Sequence, residues 1–188
     1  YEDRLLVVTG TCDFSTVWSI EREGDSYFAD RITDIGDAVA SVAGDGKDGD
    51  IYAVGRHTAY RIDNKKRGSL VRVNFDLPVQ RVVSAGDRVF VTGGMYDLFA
   101  LPEKFGNSDE PKRMLLESGP SAMLVKDGIL IAANGLANSL TVIEPKKMQE
   151  EISILVGVML GRSYFDGYKV YINNLFRNNV FVYNPDFL

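Results

Sequence analysis

The sequence predicts an all-β chain built of about five repeats of four strands each. Two observations support this. A short apolar strand follows a tight turn at an interval of about 40 residues, beginning at Leu6, Ile51, Val89, Ile129 and Val170. A second strand closes each repeat at nearly the same interval, at Ile20, Ile62, Leu101, Ile143 and Tyr183. Repeats of 40–45 residues with four strands are typical of propeller blades. The fold class predicted is therefore a β-propeller.

The segments between these strands supply the rest of each repeat. We name the four strands a to d in chain order, so that the recurring pair is b and c. Alternating branched and polar residues predict half-buried d strands at 69–75, 113–117 and 151–156. Small and branched residues suit the crowded inner strand, and they predict a strands at 37–43, 79–85 and 121–125. Residues 1–188 are predicted to form one propeller domain or a propeller fragment, with repeat cores near 4–21, 50–63, 87–103, 127–145 and 166–185.

The fourth repeat carries a family resemblance. Its strand Ile129–Asn134, followed by Ser139–Pro145, resembles the blade signature of the YVTN and quinoprotein-like propellers. The resemblance implies the propeller fold, but the matching residues build strands and match no catalytic residue of those families. The Trp-Asp repeat class is disfavoured because no Trp-Asp pair ends any repeat, and the single tryptophan, Trp18, precedes Ser19.

The predicted strands fall two short of five complete blades. The first repeat lacks strand a, and the last lacks strand d. A five-bladed ring closed by the terminal strands is one expectation. The favoured one is a five-blade piece of a ring of six to eight blades, the rest being a second chain or residues absent from this sequence, because the sequence lacks an initiator Met and starts inside a strand.

Composition narrows the range of partners. The net charge of −5 and the pI near 5.0 lack the basic footprint of nucleic-acid binders. No apolar run is long enough for a membrane span, so membrane insertion is not expected.

Cys12 is the only cysteine and forms no internal disulfide. The cysteine count does not determine the cellular compartment. The sequence contains no visible signal peptide, but a removed one would leave no trace. We expect export to the periplasm or the cell exterior rather than a cytoplasmic location.

The b–c loops are the candidate binding face, because in a propeller they gather at one mouth of the ring. Aromatic and Arg side chains dominate binding hot spots, and Asn and Asp supply polar contacts. The candidate residues in or beside these loops are Phe14, Arg56, His57, Tyr96, Asp97, Asn134, Asn138, Asn174, Phe176 and Arg177. The alternative is structural: each aromatic covers its own loop, and Asn and Asp serve the tight turns. Any zinc site or Ser-His-Asp triad would need His57, the only histidine. We assign no catalytic residue, metal or cofactor.

Three classes of function remain open. The favoured one is a non-catalytic propeller scaffold that mediates protein–protein interaction or assembly through loops on one face. The second is an enzyme or enzyme subunit of the lactonase or quinoprotein-like type, with its site at the ring mouth. The third is a small-ligand or glycan-binding module. Propellers host many unrelated activities, so the fold alone does not choose among them.

Overall fold

A computed structural model describes residues 4–44, 49–63, 69–85, 87–102, 110–126, 128–156, 160–165, 169–174 and 179–184. These residues form eighteen strands and no helix. The strands group into five sheets, and each sheet joins strands that are consecutive in the chain. Three sheets have four strands, whereas the first and the last have three. Within the described ranges, no helix is long and apolar enough to cross a bilayer.

The strands follow one another as simple meanders. The first sheet contains β1 (Arg4–Gly10), β2 (Ser15–Glu23) and β3 (Ser26–Ile35). The second contains β4 (Ser41–Gly44), β5 (Ile51–Val54), β6 (Thr58–Ile62) and β7 (Leu70–Asn74). The third contains β8 (Val79–Ala85), β9 (Arg88–Gly93), β10 (Asp97–Ala100) and β11 (Lys112–Leu115). The fourth contains β12 (Pro120–Lys126), β13 (Ile129–Asn134), β14 (Ser139–Glu144) and β15 (Gln149–Leu155). The last contains β16 (Leu160–Phe165), β17 (Val170–Asn174) and β18 (Val180–Tyr183).

This arrangement confirms the predicted fold class and the predicted order of a, b, c and d strands. The first sheet consists of strands b, c and d, and the last consists of a, b and c. In two repeats, the residue that pairs with the closing residue of strand c lies one position away from the residue that marks the start of the repeat in the sequence. Leu5, not Leu6, pairs with Ile20, and Leu130, not Ile129, pairs with Ile143. Leu5 and Leu6 are both apolar, and so are Ile129 and Leu130, so the apolar pattern alone does not determine which residue of each couple pairs with strand c.

The chain divides into two compact units, residues 1–91 with 101–111 and residues 92–100 with 112–188. In the first unit, a core of Val17, Ile35, Ile51, Ala53 and Ile62 lies between the first two sheets. In the second, a core joins residues of the last two sheets, among them Ile131, Leu140, Val170 and Ile172. The b strands β5 and β13 are almost wholly buried, which explains why their sequences are continuously apolar.

Candidate functional site

The b–c loop of the first sheet is a tight hairpin with an exposed aromatic tip. The backbone N–H of Thr11 donates to the carbonyl of Phe14 at 2.7 Å, which closes the turn. Gly10 leaves no room for a side chain, because a Cβ there would meet the backbone of Phe14 and lie 2.7 Å from the Cα of Ser15. The Phe14 side chain remains 44% exposed, and Cys12 beside it is an exposed free thiol. The candidate residue Phe14 therefore lies at a solvent-exposed loop tip.

The b–c loop of the second sheet is held by a carboxylate that the sequence analysis missed. Asp37 lies in the connection before β4, and its Oδ2 accepts a hydrogen bond from the Tyr60 hydroxyl at 3.1 Å. Its Oδ1 accepts a longer bond of 3.4 Å from the backbone N–H of Arg56. Gly55 makes this approach possible, because a Cβ at that position would overlap the carboxylate of Asp37. Burial, opposed by a hydrogen bond from Thr58 and aided by the charge of Asp37, raises the pKa of Tyr60.

Arg56 and His57 form the exposed tip of this second loop. The backbone carbonyl of His57 accepts from the N–H of Phe75 at 2.8 Å, so the loop is anchored through its main chain. Among the described residues, no group of three or more His, Cys, Asp or Glu side chains converges as metal ligands would. The structure therefore places His57 at the surface and outside any group of metal-ligating side chains in the part of the chain it describes.

Asp97 and Asn174 are buried, and Asn138 is a turn residue. Asp97 begins β10 and accepts a 2.5 Å hydrogen bond from Nε of Arg113 on the adjacent strand β11. Asn174 ends β17 and is 7% exposed. Asn138 has a φ of 58°, a left-handed conformation that Asn tolerates better than most residues. Phe176 and Arg177, the remaining candidates of the last b–c loop, lie outside the described residues.

Asn134 lies inside a buried polar network at the end of β13. Its Nδ2 donates to the hydroxyls of Ser139 at 3.1 Å and Thr141 at 2.6 Å, and all three residues are fully buried. Ser139 in turn donates to Oε2 of Glu117 at 2.6 Å, and Ser153 donates to the same oxygen at 3.3 Å. The Oδ1 of Asn134 has no hydrogen-bond partner among the described residues. The network fixes one carboxylate oxygen of Glu117.

The connection between β11 and β12 joins the b–c loops of the third and fourth sheets. Leu116 N–H donates to the Tyr96 carbonyl at 2.8 Å. On the other side of Glu117, the Ser118 hydroxyl accepts from Ala137 N–H at 3.2 Å. Gly119 packs so closely that a Cβ there would lie 2.7 Å from the Met95 carbonyl oxygen. The connection that contains Glu117 therefore contacts both b–c loops, and the loops form one bonded framework.

The tips of this framework are exposed and mostly apolar. Met95 is 59%, Tyr96 47% and Leu136 61% exposed, and Glu117 in the connection is also exposed. We call Met95, Tyr96, Glu117 and Leu136 the loop surface. The sequence analysis identified Tyr96 and missed the other three. Only their positions in the sequence could have identified these three residues. Met95 and Leu136 lie in b–c loops. Glu117, like Asp37, closely follows the apolar residue at the end of a d strand.

Comparison with known proteins identifies the fold of the chain but no family. No protein-family model and no curated protein matches the chain. Among solved structures, BamB from Moraxella catarrhalis is similar with a TM-score of 0.67 and 13% identity over 98% of this chain and 60% of that chain. The β-propeller domain of Cps50 (Swd1) from Myceliophteria thermophila gives 0.64 and 11% over 92% and 62%. AztD from Citrobacter koseri gives 0.62 and 12% over 96% and 56%.

These similarities establish the propeller fold, and at such low identity they establish nothing more. The chain spans 56–62% of the length of these three proteins. The specific YVTN resemblance is not supported by any family match.

Proposed function

We propose that this chain is a non-catalytic propeller module that binds a protein partner through the loop surface. The observation that carries the proposal is the exposure of Met95, Tyr96 and Leu136 on two loops that are bonded to one connection. Single exposed apolar residues are normal, but a group that shares one framework marks an interaction site. Tyr and Met are also enriched in the buried centres of protein interfaces.

The framework lowers the cost of binding. The hydrogen bonds of Leu116 and Ala137 fix the backbone of both loops before a partner arrives. A preorganised surface loses less conformational entropy on association than a mobile one does. Glu117 is exposed and adds a polar contact, and the hydroxyls of Ser139 and Ser153 set the orientation of its carboxylate. An apolar group with one oriented charge has the anatomy of a protein-binding hot spot.

The test compares two double variants in affinity capture from the natural source, with bound proteins quantified by mass spectrometry. Tyr96→Ala with Leu136→Ser removes two tips of the loop surface, and we expect a partner that the unmodified chain retains to be lost by about tenfold or more, as for an interface hot spot. The control is Tyr27→Ala with Phe28→Ser, because Tyr27 and Phe28 are 70% and 55% exposed on the outer strand β3.

Retention of every partner by the loop variant, or equal loss in both variants, would contradict the proposal.

The enzyme alternative has its own readout. His57→Ala removes the only histidine, and a turnover activity abolished by this change would favour the catalytic class over the interaction module.

A further inference from the structure

Glu117 carries a negative charge that the described part of the chain does not neutralise. Its Oε2 accepts hydrogen bonds from the hydroxyls of Ser139 at 2.6 Å and Ser153 at 3.3 Å. Among the residues that the structure describes, its Oε1 accepts no hydrogen bond and Glu117 forms no ion pair. Arg113, the nearest Arg or Lys in the sequence, is bonded to Asp97 instead. Because Glu117 is exposed, its second oxygen is accessible to a donor from outside the chain.

The hydroxyls of Ser139 and Ser153 orient this carboxylate before a partner binds. Ser139 is fully buried, and its hydroxyl also accepts from Nδ2 of the fully buried Asn134, so this donor is itself held in place. Both hydroxyls donate to the same oxygen of Glu117, which leaves Oε1 for another donor. A hydrogen bond between two charged groups is about twice as strong as one between neutral groups. An oriented carboxylate also loses less conformational entropy when a cation binds to it.

Exposed apolar and aromatic side chains adjoin the carboxylate. Leu116, directly before Glu117, donates its N–H to the Tyr96 carbonyl at 2.8 Å, and Tyr96 is 47% exposed. Leu155 follows Ser153 by two positions on β15, and residues two apart on a strand share one side. Leu155 is 83% exposed on the side from which Ser153 reaches Glu117. An ion pair formed beside these side chains would be partly shielded from water and from salt.

The chemistry of this surface favours arginine as the side chain that a partner presents. A guanidinium is always protonated, is more weakly hydrated than an ammonium group and stacks on aromatic rings such as that of Tyr96. Arg is enriched and Lys depleted in protein interfaces. The net charge of −5 also favours the approach of a basic partner. The free oxygen of Glu117, the exposed aromatic ring and the overall charge therefore agree on one kind of ligand group.

We propose that the loop surface recognises a partner protein by an arginine side chain, whose guanidinium donates to Oε1 of Glu117 and stacks on Tyr96. An apolar residue next to this arginine packs on Leu155, which borders the loop surface. The inference rests on the proposed function, because it names the side chain by which the partner of the loop surface is recognised. The oriented charge supplies the specificity, and the apolar tips supply most of the buried area.

The probe is a library of short random peptides displayed on phage and selected on the 188-residue chain. Peptides that also bind the variant Tyr96→Ala with Leu136→Ser are removed, so that those remaining need the loop surface. A parallel selection uses Glu117→Gln, whose amide oxygen still accepts hydrogen bonds but carries no charge. The control is Glu150→Gln, which removes a charge from an exposed position near the other end of β15. We expect one preferred Arg beside apolar residues in peptides from the unmodified chain and the control, and no such preference with Glu117→Gln.

The affinity of a selected peptide is then measured with Arg and with citrulline, an uncharged side chain of similar shape, at the preferred position. Citrulline should weaken binding to the unmodified chain about tenfold, as expected for the loss of a hydrogen bond between charged groups. It should not weaken binding to Glu117→Gln, because the two changes remove the same contact. Urea unfolding of Glu117→Gln and Glu150→Gln verifies that both variants are folded. The comparison of the two peptides on the unmodified chain needs no variant of the protein.

The possible results separate the two proposals. Selected peptides without a preferred Arg, or an equal effect of citrulline on the unmodified chain and on Glu117→Gln, would overturn this inference. The proposed function would stand in that case, because the peptides still need the loop surface. Equal enrichment of Lys at the preferred position would overturn the assignment to a guanidinium. If no peptide distinguishes the unmodified chain from the variant Tyr96→Ala with Leu136→Ser, both the inference and the proposed function are contradicted.

Discussion

Gly55→Ala should destabilise the first unit through a single displaced carboxylate. The added methyl group would occupy the position of the Asp37 carboxylate, which must then rotate away. Asp37 would lose the hydrogen bond from Tyr60 at 3.1 Å and the longer one from Arg56 at 3.4 Å. Gly55 itself needs no special backbone conformation, because its φ is not positive. The substitution therefore isolates the contact with Asp37.

The magnitude follows from these two bonds. A hydrogen bond to a charged group contributes about 1.5–3 kcal/mol, and we take about 2 kcal/mol for the pair because both are long and partly exposed. Replacing Gly by Ala at a compatible position stabilises by about 0.5 kcal/mol through the entropy of the unfolded chain. The free energy of unfolding should then fall by about 1.5 kcal/mol, which corresponds to roughly 3–6 °C in Tm for a chain of this size.

The assay is urea unfolding followed by the fluorescence of Trp18, the only tryptophan, which lies on β2 of the same unit. Gly36→Ala is the control, since a Cβ at Gly36 meets nothing within 4 Å, and it should be neutral or slightly stabilising. In an Asp37→Ala background, Gly55→Ala should no longer destabilise. An equal loss of stability in both backgrounds would refute the role assigned to Asp37.

Two further outcomes follow from the structure. Ile131 is 1% exposed within the core of the second unit, so Ile131→Asp should cost several kcal/mol through an unpaired buried charge, and an unchanged Tm would contradict the assigned register. Burial raises the pKa of both Tyr60 and Tyr183, so the folded state favours their neutral phenols. The stability they contribute is fully present below the unfolded pKa of about 10 and is lost as pH rises through the folded pKa, which urea midpoints between pH 9 and 11 would show; a constant midpoint would contradict this.

Much of the fold could be predicted because each repeat contains its own local signals. Turn residues before Ile51 and Val170, and small or branched runs such as 79–85, place individual strands without knowledge of tertiary contacts. The pairing register was harder to predict. Leu5 and Leu6 are both apolar, and only the position of Ile20 across the hairpin decides which of them begins the repeat.

The candidate site was predicted only in part, because its polar members come from a different connection. Tyr96 was identifiable as an aromatic residue in a b–c loop. Glu117 and Asp37 lie between a d strand and the following a strand, and in a meander this connection lies at the same end of the sheet as the b–c loop. Their roles depend on side-chain contacts with Ser139 and Tyr60 that have no pattern in the sequence.

At the b–c end of the fourth sheet, polar residues are buried and an apolar residue is exposed, which is the opposite of the usual arrangement. Asn134, Ser139 and Thr141 are fully buried, whereas Leu136 at the loop tip is 61% exposed. Burying polar groups costs free energy unless they are hydrogen-bonded, and Asn134 Oδ1 has no such bond among the described residues. Stability alone would favour an apolar interior and a polar tip. Leu136→Ser should therefore leave the free energy of unfolding within about 0.5 kcal/mol of its original value. An unchanged free energy of unfolding together with lost partner binding would show that Leu136 belongs to an interaction surface and not to a structural contact.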